Sequence, residues 1–566
     1  MLFPDKFLTK TGNMKNRFQI AFLFLILSVI TQNANPCTNF LVSRGASVNG
    51  ATMITYAADS HVLYGELYHR PARNYPAGSR VRIYEWDTGK LLGEIPQVRH
   101  TYSVIGNMNE HQLAIGETTY GGRPELVDST GIIDYGSLMY LTLQRAKTAR
   151  EAIHIMAGLV SEYGYYSYGE SFSIADKNEV WIMELIGKGP GNTGAVWVAL
   201  RIPEGYVSAH ANQARIQTFP LDDPENCLYA EDVISFAREQ GYFNGKDKDF
   251  SFSDVYAPVD FGGARFCDAR VWSFFEKITG GMDRYLDYVK GENLENRLPL
   301  WVKPDRKLTA SDLMGFMRDH FEGTPLDMTK DIGAGPFRLP YRWRPLTWSV
   351  GEQTYCNERA VATQQTGFSF VTESRNWLPD WIGGIFWFGV DDASTTVYTP
   401  MYCGMNRIPE PFAEGNGDML TYSPTSAFWA FNFVSNFCYL RYDLMTGDVK
   451  KRQAMLENKF LNNTKAIDLA AEKLYDSDPE LARDFITDYS VSMGELTFRE
   501  WKELGQFLLV KYIDGNVKKE INGEFQYNGM GGNVPAAPDQ PGYPEWWYEK
   551  IAEKDGEKLK VIGPAH

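Results

Sequence analysis

The chain has 566 residues, 44% of them apolar and 14% aromatic, enough to bury a large core in two or three packed units and too apolar for disorder. Its formal charge is −15, and the first 36 residues carry Lys6, Lys10, Lys15 and Arg17 against Asp5, so the chain from Cys37 onward carries −18. A balance this acidic argues against nucleic acid or an anionic membrane as partner.

The chain opens with a basic flank at Met14-Lys15-Asn16-Arg17, an apolar run of eleven residues over 20–30, and a polar tail ending in Ala34. A bilayer span needs roughly 20 apolar residues, so this run fits a secretory signal instead. Residues 1–36 are expected to be removed on export to the periplasm or beyond. Ala34 offers the small residue before a cut, which leaves Asn35 and Pro36 ahead of Cys37. Either those two are trimmed or the cut falls directly before the cysteine. Lipid attachment also uses a cysteine at such a place, although Ala34-Asn35-Pro36 departs from its Leu-small-small pattern. Once exposed, Cys37 carries a thiol nucleophile and a free α-amine whose reference pKa of about 7.7–8.0 suits a general base.

Residues 37–43 read as a buried strand and 44–50 as a turn with an Asn49-Gly50 hairpin signal. The return strand over 51–59 carries Asp59 back beside Cys37; a plain strand-end turn residue is the bland alternative. Further strands are expected at 81–84, 102–105, 113–118, 171–175, 180–184, 196–201 and 207–209. Helices are expected at 137–145, from the Thr148/Glu151 capping box to about 161, and from 270. Strands, a helix pair and more strands predict an α+β fold of sheets covered by helices. None of the six cysteines forms a CxxC pair and no histidine lies at ligand spacing, so no metal and no cofactor are expected. Cys267 and Cys438, each after a phenylalanine, read as buried thiols.

In the second half, 298–304 reads as a surface connection and Thr309 caps a helix through 320. Strand-like runs at 369–371 and 395–398 complete the sheets. Helices are expected at 453–475, 479–488 and 497–509. A Gly/Pro-rich arm begins after Gly523, with Pro544 to Tyr548 docking it onto the body. The expected division is 37–450 for the catalytic part and 451–566 for the helical region and arm.

Several segments together carry a resemblance. They are Cys37-Thr38 with Leu41-Val42, Asn49-Gly50 and Asp59-Ser60; the stretches 109–117, 169–176, 180–184 and 210–216; Arg270-Val271-Trp272; and, later, 333–337, Glu358-Arg359, 375–379 and 426–431. In this order they resemble the cysteine dipeptidases of the dipeptidase A type. Those belong to the N-terminal nucleophile hydrolase superfamily, with penicillin V acylases and bile salt hydrolases. The resemblance runs from Cys37 to about residue 510. It implies a four-layer αββα sandwich, with a C-terminal helical region added. It also implies attack by the Cys37 thiolate on an amide carbonyl, with the residue's own amine passing the proton to the leaving group.

By the same resemblance Asp59 anchors that amine and Asn212 donates to the oxyanion. The Glu117-Thr118 strand end meets the bound substrate with a backbone N–H. Arg270 matches the late active-site arginine, with Arg265 close enough to remain an alternative. Acylases carry an arginine three residues before the aspartate; here that position is Tyr56. His210 reads as a structural imidazole, since an N-terminal cysteine needs no separate histidine base. Short peptides are the expected substrates, and self-association into a homo-oligomer is the other partner considered. Two other functions stay open: an amide acylase on N-acylated compounds, and a surface binding protein anchored by lipid at Cys37.

Overall fold

In the computed structural model, which describes residues 37–563, strand β1 (Asn39–Val42) pairs antiparallel with β2 (Met53–Asp59), Leu41 opposite Ile54. The expected export signal and cleavage point lie outside the described residues. Between the strands, Asn49 accepts from the Ser47 hydroxyl at 2.7 Å and the Ala51 N–H at 3.1 Å, and Gly50 takes the left-handed φ of 81° that ends the turn. Thr38 bridges to Ala57, which extends the pairing beyond β1 and brings Asp59 to the end where Cys37 stands.

The chain continues through β3 (Ala114–Gly121), helices α1 (Tyr135–Leu143) and α2 (Ala149–Tyr163), then β4 (Gly169–Ala175), β5 (Val180–Gly187), β6 (Ala195–Arg201) and β7 (Val207–His210). Helix α3 (Ala269–Ile278) precedes β8 (Thr366–Ser374), β9 (Gly384–Val390) and β10 (Thr399–Tyr402). Helices α4 (Ala427–Cys438), α5 (Tyr442–Ser477) and α6 (Pro479–Tyr512) follow. One antiparallel sheet has the order Trp301–Val302, β7, β1, β2, β8, β9, β10. The other has the order Cys227–Tyr229, β6, β5, β4, β3, then three two-residue strands.

Strands β2, β4, β5, β8 and β9 are buried along their whole length, so both faces of each sheet are covered and the apolar pattern is continuous rather than alternating. Strands β1 and β2 pack toward β3 and β4. On the other side of the second sheet, Ile115, Phe172, Ile174 and Met183 build a separate core with Leu138, Ile153 and Met156 of α1 and α2. Helices α4 and α6 lie against β9 and β10. The fold is α+β, with a helical region at its C-terminal end.

Several boundaries differ from the sequence expectation for local reasons. Helix α1 starts two residues early because Asp134 caps it, accepting from the Ser137 N–H at 3.1 Å. Thr148 accepts from the Glu151 N–H at 3.2 Å, but the Glu151 carboxylate turns to the Lys147 N–H, so only half of that capping box forms. The helix capped by Thr309 ends at Phe316. Thr395 and Thr396 fold back on the Asp392 carbonyl, and the strand starts only at Thr399.

Helices α5 and α6 are longer than expected, and α5 runs through residue 450. Polar residues on α5 break its apolar periodicity because they anchor it to the sheet. Gln453 donates to the Thr396 carbonyl at 2.6 Å, Glu457 accepts from the Tyr398 N–H at 2.9 Å, and Asp468 pairs with Arg375 and accepts from the Tyr402 hydroxyl at 2.7 Å. The helix Glu545–Leu559 has no buried residue, and Tyr543 beside it stacks on Phe337. No described helix is long and apolar enough to cross a membrane.

Candidate active site

Cys37 immediately precedes β1 and is only 3% exposed. Its backbone nitrogen, bonded to Pro36 in this chain, donates to Asn212 Oδ1 at 2.8 Å. Its carbonyl accepts from the Arg270 guanidinium. Its sulfur lies 3.8 Å from the Tyr56 hydroxyl and 3.7 Å from Glu117 Oε1, and the Tyr56 hydroxyl itself donates to that carboxyl oxygen. Burial pushes the thiol well above its ordinary pKa, with the negative charge of Glu117 and Asp59 adding to the effect.

Arg270, on α3, is fully buried and ties this end of the sheet together. Besides the Cys37 carbonyl it donates to the Thr38 hydroxyl at 2.7 Å, the Ala211 carbonyl at 2.9 Å and Asn212 Oδ1 at 3.0 Å. Burial and the neighbouring Arg359 lower its pKa to about 10, so it remains a cation at neutral pH. Arg265 pairs instead with Glu358.

Asn212 follows β7 in a left-handed conformation, φ 66°. Its Nδ2 donates to the Thr119 carbonyl at 2.7 Å, so in this chain the amide donor is turned to strand β3. The segment around it is clamped at both ends. Glu184 of β5, fully buried, accepts from the backbone N–H groups of Arg215 and Ile216. Arg215 donates to the carbonyls of Ala209 and Pro299 and pairs with Asp268 at 3.4 Å.

Burial raises the Glu184 pKa to about 7 against the pull of those N–H donors. Between about 4.5 and 7 the folded state therefore holds a proton that the unfolded chain has released, and stability falls as pH rises through that window. Glu184→Gln carries no such loss. Urea midpoints at pH 5 and pH 7.5 should show the variant gaining on the native chain at the higher pH; a difference independent of pH would contradict this.

Strand β3 approaches β1 and β2 closely. A Cβ on Gly116 would fall 2.4 Å from Asn39 Oδ1 and 3.2 Å from Tyr56 Cβ, so only glycine fits there. Asn39 Nδ2 donates to the Glu117 carbonyl at 2.6 Å. Thr118 faces away from Glu117 and meets His210 Nδ1 at 2.7 Å, while Ser173 meets Nε2 at 2.8 Å. Burial lowers the His210 pKa to about 3, so the ring is neutral and held on both sides.

Asp59 is buried. Arg359 donates to its Oδ2 at 2.5 Å and Thr366 to its Oδ1 at 2.6 Å. Burial raises its pKa, and the Arg359 charge works against that rise. A cation thus stands beside the aspartate although Tyr56 occupies the place of the acylase arginine; it arrives from residue 359, far along the chain.

Of the residues singled out from sequence, Cys37, Asn212, Arg270 and Glu117 meet at one point, and Asp59 lies next to them. Thr118 contributes no side chain to that point. Sequence reasoning missed Tyr56 as a partner of the thiol, Arg359 and Thr366 as partners of Asp59, and Glu170 beside Glu117. Glu358-Arg359 stood among the resembling segments without a role, and Tyr56 was noticed only as a departure.

Comparison with known proteins sets the class first: this is a peptidase. The chain belongs to peptidase family C69, whose family model matches residues 66–455 and so takes in Glu117, Asn212, Arg270 and Arg359. A probable dipeptidase of Latilactobacillus sakei is 24% identical over 401 residues, covering 67% of this chain and 76% of that protein. Dipeptidase A of Lactobacillus helveticus is 23% identical over 398 residues, 66% of this chain and 76% of that protein. A probable dipeptidase B of Lactococcus lactis subsp. lactis is 22% identical over 523 residues, 88% of this chain and all of that protein.

Proposed function

We propose that this chain is an exported cysteine dipeptidase whose nucleophile is Cys37, exposed as the N-terminal residue when 1–36 are removed. The proposed architecture is the four-layer αββα sandwich of N-terminal nucleophile hydrolases. The two adjacent sheets, with α1 and α2 outside one and α4 and α6 against the other, support that reading. The observation that carries the functional reading is the hold on Cys37: its nitrogen against Asn212, its carbonyl against Arg270, its sulfur beside Tyr56 and Glu117.

In the mature chain the α-amine takes the thiol proton, and the thiolate forms a bond to the amide carbon. The carbonyl oxygen takes the negative charge. Once the precursor's hydrogen bonds are released, the Asn212 amide and a backbone N–H of Glu117-Thr118, in the middle of β3, are the donors for it. Such a donor contributes about 2.7–4 kcal/mol. The protonated amine then gives its proton to the departing nitrogen as the carbon–nitrogen bond breaks, leaving a thioester on Cys37. Water, deprotonated by the same amine, releases the acid and restores the thiol. Arg270 and Arg359 hold Cys37 and Asp59 in place.

The test is a panel of dipeptides and N-acylated amines offered to purified protein beginning at Cys37. Dipeptide turnover is the expected result. Turnover of N-acyl amides alone would replace the proposal with an acylase. A diacylglyceryl mass on Cys37 in the exported protein would replace it with an anchor.

A further inference from the structure

Away from Cys37 the structure holds a second cavity, of about 570 Å3, at the far end of the β1–β2 hairpin. Asn49 of the hairpin turn lines it, whereas Cys37 and Asp59 stand at the open end. Strand β2 runs from Met53 to Asp59 at roughly 3.3 Å per residue, which sets the two places about 20 Å apart. The volume lies within the range of about 300–1,000 Å3 usual for small-molecule sites. Packed interiors leave few voids larger than a water, so a cleft of this size between a sheet and a helix is not ordinary core.

Two periodicities build its walls. Glu373 of β8 and Arg375 just beyond it are two residues apart and line the same cavity. On α5, Leu461, Thr464, Lys465 and Asp468 recur at helical spacing and form the helix side. Arg375 and Asp468 join the two walls as an ion pair. Trp377, in the loop after β8, lines the cavity while 47% exposed, so part of its ring faces water.

Arg375 and Asp468 answer each other, and two charges remain. Glu373 is 7% exposed, and its hydrogen-bond partners are an amide and an indole, neither of them a cation. Asn49 Nδ2 donates to its Oε1 and Trp387 Nε1 to its Oε2, both at 2.9 Å. A carboxylate offers about four acceptor sites, so one bond per oxygen leaves room for further donors. Lys465 supplies the opposite charge; it is exposed on α5 and forms no ion pair among the described residues. The cavity thus presents a buried carboxylate and an available ammonium, balanced in charge, beside the apolar surface of Trp377, Trp387 and Leu461.

We propose that this cavity is a second, non-catalytic binding site for an α-amino-acid zwitterion with an aromatic or large apolar side chain. The ligand's ammonium meets Glu373, its carboxylate meets Lys465, and its side chain lies on Trp377 and Leu461. A simple anion would leave Glu373 facing like charge, a simple amine would leave Lys465 so, and a neutral sugar would answer neither. A free amino acid and a dipeptide share this chemistry. The proposed hydrolysis would consume and release such compounds, yet the chemistry of the cavity stands without it.

The experiment is calorimetric titration of the mature chain with L-phenylalanine, 3-phenylpropionate and phenylethylamine. Phenylalanine is expected to bind with a Kd below roughly 10 mM. The other two each lack one charged group and should bind at least about fivefold more weakly. Lys465→Glu should weaken phenylalanine about three- to tenfold and leave phenylethylamine no weaker. Trp377→Ala should weaken both by about three- to tenfold. Both side chains are exposed, and melting curves check that the variants fold. In Cys37→Ala, which leaves a dipeptide intact, the tighter of phenylalanine and phenylalanyl-phenylalanine identifies the source of the ligand, provided Lys465→Glu weakens it too. No saturable binding of phenylalanine, or binding undiminished in both Lys465→Glu and Trp377→Ala, would overturn the inference and leave the dipeptidase reading as it stood. Absence of dipeptide turnover with this binding intact would overturn that reading alone.

Discussion

Replacing Cys37 with alanine in the mature chain is expected to lower dipeptide hydrolysis by at least about 10⁴-fold, as loss of a covalent nucleophile does elsewhere. The fold should survive. Cys37 is buried but forms no disulfide, and the strand it precedes is held by backbone pairing on both sides. Its backbone nitrogen and carbonyl, which meet Asn212 and Arg270, are unchanged by the substitution. Cys37→Ser should retain slight activity at most, because a hydroxyl is far harder to ionise than a thiol. The measurement is turnover of one good dipeptide together with a thermal melt. Full activity in Cys37→Ala would remove the thiol from the mechanism.

A chain that begins at Asn35, with Pro36 still attached, should be inactive by about 10²–10⁴-fold, the range general-base catalysis contributes. The reason is chemical rather than steric. With Pro36 attached, the Cys37 nitrogen is a peptide nitrogen that donates to Asn212 Oδ1 and has no basic lone pair. The thiol beside it is pushed well above its ordinary range by burial and by Glu117 and Asp59. The thiol hydrogen then faces only the Glu117 carboxyl, which already accepts from the Tyr56 hydroxyl, while His210 is held by Thr118 and Ser173 and Arg270 stays protonated. Trimming the two residues in vitro should restore turnover. Full activity with them attached would mean that the base is another group.

The residues that meet at Cys37 were legible to different degrees. Asp59 follows from the hairpin, because a turn closed by Asn49-Gly50 must return the strand to its starting level. Asn212, Arg270 and Glu117 came from resemblance alone: nothing in their local spacing points to a thiol more than 70 residues away, and the strand expected to end at residue 118 runs on to Gly121. Arg359 was invisible as a partner of Asp59, since the pairing depends on β8 lying beside β2. Thr118 and Glu117 are adjacent in sequence but face opposite ways across a strand, so naming both could place only one side chain at the site. Helix α5 begins eleven residues before the expected start at 453, and α6 runs unbroken through 489–496, where two helices were expected; Gln453, Glu457 and Asp468, polar residues that suggest solvent, are the groups that bind α5 to the sheet.

The sequence by itself determined the α+β class, the family, and the hairpin that returns Asp59 to the level of Cys37. These are local patterns, or an ordered set of short ones. Only the tertiary structure decided which charges neutralise one another, that Tyr56 stands against the thiol, and that Glu117 and Glu170 share a buried corner. Those depend on sheet order and on which face of each strand is covered, and both are set by packing between segments hundreds of residues apart.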